Sequence, residues 1–258
     1  TLAGRSNPSN DSPHLANSGG NNTWTGAITL SGGGSRYTVV SDDGTLSITG
    51  NISHALGSNR VLYLGGAADG VLTGALSTSN GTFEVIKEGA GRWELTSNAN
   101  TYNGGTTVTA GTLLANNTSG SATGTGSVLV TGGMLGGTGR IGGSVTMNAT
   151  GILKPGNSPG TLDINDTLTF NPGSTLSIEL GGTTPGDGNL FYSQTNMTNA
   201  AASVVLGSNV ALDVTLYGGF APSLGDTFYV LTREDGGSFG SASFDGLTEG
   251  SLFSFAGY

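Results

Sequence analysis

Two histidines, His14 and His54, and no cysteine are available to this chain for nucleophilic or metal chemistry. A histidine-based triad or a zinc site would need one of them to meet partners far away in sequence. Both are therefore read as ordinary exposed imidazoles. Carboxylates do occur in pairs, Asp42 with Asp43, Asp163 with Asp166, and Glu234 with Asp235. Two such groups roughly 5–9.5 Å apart are what glycoside hydrolysis requires. Here each pair sits beside Gly or Asn, where Asp caps its own backbone, and no Lys or Arg stands at a spacing that suggests a lyase base. The segment GGTTPGDGN, residues 181–189, has the Gly and Asp content of a calcium turn but occurs once, without the tandem recurrence of calcium repeats. Strings such as GTGSVLVTGG lack the GK[ST] ending and the strand-to-helix setting of a phosphate loop. No catalytic, cofactor-binding or metal residue is assigned, and the expectation is a protein that is not an enzyme.

Composition narrows the partners. With 8 Lys and Arg against 17 Asp and Glu, the net charge is −9, which repels a phosphate backbone. No basic patch with interleaved aromatics appears, so no nucleic acid is expected as a partner. No apolar run reaches about 18 residues, so no transmembrane helix is expected. Sequons such as Asn51-Ile52-Ser53 are what chance supplies in a sequence rich in Asn, Ser and Thr.

The elements that must position any site are short. From about Phe83 to Gly160, runs of Val, Thr, Ile and Leu are interrupted again and again by Gly and Asn, which rules out the apolar spacing of a helix. The units TAGTLL, TGGMLGG and NATGILKPG return at intervals of roughly 16–22 residues, the mark of a stacked repeat. Stacking lets Leu113, Val128, Val130, Leu135, Ile141, Val145, Met147, Ile152 and Leu153 form one continuous interior, so an all-β parallel β-helix or β-solenoid is predicted. Alternation in Tyr37-Thr38-Val39-Val40 and Thr45-Leu46-Ser47-Ile48-Thr49 extends the same column toward the N-terminus. Trp93 and Tyr102 could each stack a sugar or fill the column, and filling is the reading preferred here.

The run GAGRWELTSNANTYNGGTTVTAGTLLANN resembles the passenger-associated repeat of bacterial autotransporters, also called the autotransporter-associated β-strand repeat. The matching pieces are Lys87-Glu88-Gly89-Ala90-Gly91, Asn100-Thr101-Tyr102-Asn103-Gly104-Gly105-Thr106 and Ala110-Gly111-Thr112-Leu113. The turn Lys154-Pro155-Gly156-Asn157-Ser158-Pro159-Gly160 resembles the tail of that repeat. The resemblance implies a right-handed β-solenoid displayed outside a bacterial cell, secreted or on the surface, and no active site.

These readings divide the chain into a polar arm or linker at 1–22, a solenoid at 23–170, and a β-rich continuation at 171–258. The longer, more strictly alternating strands of the last part either continue the column or widen it into a sandwich-like end. No amphipathic stretch is seen that could lid the column's open edges. Three functions follow as expectations: a non-catalytic structural protein whose copies stack end to end as a homo-oligomer, an adhesin or stalk in contact with a glycan or cell surface, and a polysaccharide-degrading β-helix enzyme.

Overall fold

The computed structural model describes residues 2–3, 12–237, 239, 243–245 and 247. Among them there is no helix, and short strands wind through three faces in repeating order. The first face is a nine-stranded sheet from Leu15–Ser18 to Val204–Leu206, and the second is an eleven-stranded sheet. The third face holds a four-stranded sheet toward each end. Between those two sheets it continues through backbone bonds such as Thr125 N to Tyr102 O at 2.9 Å.

Consecutive strands on each face pair in parallel, which makes the molecule a parallel β-helix. Coil length varies while register holds. Partners on the first face lie 25 residues apart at Val39 and Leu64, 17 at Val130 and Met147, and 36 at Phe170 and Leu206. Strand alternation fixes which side chains enter the column, because a slip of one residue would turn every apolar group to water. Leu113, Leu135, Leu153 and Leu176 thus stack in one buried file.

Glycine corners allow the close approach of neighbouring rungs. At Gly44, which has φ +70°, an added Cβ would lie 2.2 Å from the Gly20 carbonyl oxygen of the preceding rung. Only a residue without a side chain fits there.

Four expectations need correction. Residues 15–22 do not belong to an arm: Leu15–Ser18 pairs with the strand Arg36–Asp43, and Asn22–Trp24 pairs with Leu46–Ile48. Their polarity hid this, because backbone ladders need no apolar side chains and Asn17 satisfies its buried amide on Asp43 O at 2.8 Å and Gly20 O at 2.9 Å. Residues 4–11 of that predicted arm lie outside the described residues. Ile152 is not interior: it stands in register with Met134 and Thr175 on the half-exposed side, and Leu153 takes the inward position. Among the described residues, the part after 170 continues the column and does not widen into a sandwich. Ala211–Leu216 adds to Thr175–Leu180 in parallel, and the antiparallel pairing at Leu180 and Tyr192 belongs to an excursion between Gly181 and Tyr192. His54 is the fourth, described below.

Candidate functional site

Two kinds of polar site exist, one inside the column and one on its surface. The interior one centres on Lys87, which is 0 % exposed and occupies the file position between Leu64 and Val108. Its four methylenes fill the column, and its ammonium reaches a corner where Nζ donates to Glu88 O at 2.8 Å, Gly89 O at 2.9 Å and Ala110 O at 3.0 Å. An ammonium has three N–H donors, so the match is complete. Burial pulls this lysine down to about 8, with the Glu88 carboxylate opposing. At Gly111, with φ +65°, an added Cβ would lie 2.6 Å from Lys87 Nζ and 2.4 Å from Gly89 O. Lys87, Gly89 and Gly111, scattered across the quoted sequence pieces, are thus one corner in space.

The remaining pieces do similar work. Asn100 accepts from Leu76 N at 2.8 Å on one side and donates to Ala122 O at 2.7 Å on the other, joining three successive coils. The Tyr102 hydroxyl meets Thr106 Oγ1 at 2.6 Å inside the column, and burial pushes that phenol up. Trp93 is buried too, its Nε1 donating to Gly65 O at 3.0 Å while its ring lies against Gly70, where a Cβ would come within 2.4 Å of it. Both aromatics fill the column, as the sequence suggested, and neither offers a face to a sugar. Trp24 differs, being 44 % exposed at the rim of a groove of about 260 Å³ beside Leu15 and Asn17.

The surface site is an open polar groove of about 500 Å³ along the corner between the second and third faces, lined by Asn116, Asn117, Thr138, Arg140, Asp163 and Asp187 among others. Strand pairing places Arg140, Asp163, Asn196 and Thr232 in one outward file. Asn196 donates to Asp163 at 3.3 Å, and Arg140 donates to Asn165 Oδ1 at 2.6 Å. Burial raises the Asp163 carboxyl; Asn196 and Arg140 pull it back down, and Glu234 raises it further. The excursion closes one end of the groove, with Asp187 Oδ1 accepting from Thr161 N at 3.2 Å. Beside it, Lys154 and the largely buried Glu179 form an ion pair at 2.8 Å that ties the second-face rungs together.

The acid pairs found in sequence do not assemble as pairs for chemistry. Asp166 accepts from its neighbour Thr167 N at 2.6 Å, and Asp235 holds Gly237 N at 2.9 Å and Arg233 at 2.8 Å. Asp42 and Asp43 are exposed at the end of their strand. The Glu234 charge does act on the Asp163 carboxyl, across two of those pairs, which no sequence spacing reveals. Among the described residues no three His, Asp or Glu side chains come close enough to hold a metal ion. No helix among them is long and apolar enough to cross a membrane.

His54 corrects the reading of an exposed imidazole. It is 1 % exposed, edge-on to Phe83 with ring centroids 6.5 Å apart, because the period-two alternation of Ile52–His54 turns it inward. His14, on the first rung, is half-buried and accepts from Thr38 N at 3.0 Å through Nδ1.

The fold and the interior corner define a β-solenoid whose signature side chains are spent on joining rung to rung. Residues 85–115 match the family model of the passenger-associated-transport-repeat, and this stretch holds Lys87, Trp93, Asn100, Tyr102 and Gly111 together. The repeat points to an autotransporter passenger domain, secreted or surface-exposed. No curated protein matches the chain.

Proposed function

We propose that these coils form a rigid, non-catalytic structural segment of an extracellular passenger, and that copies associate end to end through the edges of the outermost rungs. The observation that carries this reading is the use of the repeat's own polar side chains. Lys87 and Asn100 bond neighbouring coils and Tyr102 bonds Thr106 within its own, so all three are consumed inside the column and leave nothing to present to a substrate. Solenoid stability grows by neighbour contacts, so a rod of this kind lengthens by adding rungs. A strand edge at either end can accept a parallel partner. Electron microscopy of the purified chain, with sedimentation at several concentrations, tests the association. Rods longer than one chain support it, and a monodisperse monomer rejects it.

A second reading, an adhesin or glycan-contacting stalk, is favoured by the groove at Arg140. Its lining is almost entirely hydrogen-bonding, which suits a polyhydroxylated ligand better than an apolar one. Saturable binding on a glycan array that is lost in Arg140→Gln and retained in Trp24→Ala would support it. Absence of binding across the array would reject it.

A further inference from the structure

We propose that His54 is an acid-sensitive latch that holds the loop 55–59 closed on the column and releases it when the imidazole takes up a proton. Both ring nitrogens are committed to that loop. Leu56 N donates to Nδ1 at 3.2 Å, and Nε2 lies 2.8 Å from Ser58 O. A backbone N–H can only donate and a carbonyl can only accept, so the closed loop demands one tautomer: neutral, with the hydrogen on Nε2. A second proton would turn Nδ1 into a donor facing another donor.

The surroundings make that second proton costly. His54 is buried beside Phe83, and its inward position is continued by Leu30 on the preceding strand and Thr78 on the following one. The strands Ile28–Ser31 and Leu76–Thr78 that flank it carry no ionisable side chain. On the adjoining strand Arg60–Gly65, Arg60 is itself buried, its Nη1 held by Asn59 O at 2.8 Å and its Nε without a hydrogen-bond partner. The strand Phe83–Lys87 offers the Phe83 ring; its ionisable groups are Glu84 on the outer side and Lys87 at the far end. An imidazolium would therefore meet one uncompensated cation and no carboxylate. Burial, then the Arg60 charge, hold the imidazole below its ordinary range, and the bond to Ser58 O opposes them.

The loop is built to move as a unit. All five residues 55–59 are exposed, and Ser58 N closes a tight turn on Leu56 O at 2.8 Å. The turn rests on Gly81, with φ +80°, where a Cβ would lie 2.6 Å from both Leu56 O and Ser58 O. Contact with the next coil thus includes backbone at Gly81 and the Asn80 side chain near Gly57. Without the two imidazole bonds, the loop keeps its internal turn and the bond from Arg60 Nη1 to Asn59 O. For a histidine whose folded value is lowered, the unfolded or open form binds the proton first. Closure is therefore complete above the ordinary imidazole range and is lost as pH falls below it.

Amide hydrogen exchange on the full chain at about pH 7.5 and about pH 5, corrected for intrinsic rates, reads the latch. The expected result is an increase of about tenfold or more at Leu56 in acid, with Ile52 and Leu76 on the same face unchanged. In His54→Gln, which keeps one donor and one acceptor but cannot ionise, the acid response disappears. The wild-type ring gives a second answer that needs no variant: its nitrogen shifts should show the Nε2–H tautomer at neutral pH and titrate together with the Leu56 amide. Equal corrected exchange at both pH values, an acid response that survives in His54→Gln, or an Nδ1–H tautomer would overturn the proposal.

Discussion

The middle coils and the last described one use the same stacking rule with different success. From Lys87 to Met147, register partners on the first face recur every 17 to 22 residues and the inward side chains are fully buried. Between Phe170 and Leu206 the coil stretches to 36 residues and carries the excursion that folds back at Tyr192. The strand Ala211–Leu216 keeps register with Thr175–Leu180, yet Leu212, Val214 and Leu216 remain half-exposed beside the aromatic cluster of Tyr192, Phe220 and Phe228. Register is therefore a property of backbone pairing, whereas burial needs a rung on each side. The strand after the long coil preserves the first and loses part of the second.

Substitutions can break this contrast at graded strengths. Trp93→Ala should have the largest effect, a loss of about 3–5 kcal/mol in denaturant unfolding, because the ring fills the space left by Gly70 in the rung below. The sharpest test sits within one file of leucines. Leu135→Ala in the middle should cost about 2–5 kcal/mol, whereas Leu212→Ala on the half-exposed strand Ala211–Leu216 should cost about 1 kcal/mol or less. Equal losses would mean that the end of the column is as well packed as its middle.

Lys87→Met should cost about 1–3 kcal/mol at neutral pH, since it leaves three buried carbonyls without their donor. Its pH dependence has a definite sign. The folded value of about 8 lies below the unfolded one near 10.4, so between them only the unfolded chain holds the proton. Wild-type stability relative to Lys87→Met should therefore rise from about pH 8 to about pH 10 in paired urea titrations. The smallest effect belongs to the surface groove. Asp163→Asn keeps an acceptor for Asn196 and removes a carboxylate that burial and Glu234 disfavour, so stability at neutral pH should change by no more than about 0.5 kcal/mol.

Much of the column was legible because its signals are local. Period-two alternation marked Tyr37–Val40 and Leu46–Ile48, and the pieces around Lys87, Asn100 and Gly111 identified the repeat. The misses share a cause. Leu15–Ser18 and Asn22 read as linker because a polar strand at a sheet edge announces itself only through backbone bonds to strands more than twenty residues away. Ile152 and Leu153 are equally apolar neighbours, and only the register with Met134 and Leu135 decides which one enters the column. For His54, the alternation with Ile52 was the available signal, and its polarity outweighed it in the sequence reading.

The sequence by itself determined that this chain coils: glycine corners and short β-branched runs exclude helices, and each unit is too small to bury its own apolar side. Tertiary structure alone decided what the polar residues do. Whether Lys87 is a surface charge or an interior strut, and which residue Asp163 meets, here Asn196, depends on which residues the stacking brings side by side. Coil lengths varying from 17 to 36 residues make that distance unreadable along the chain.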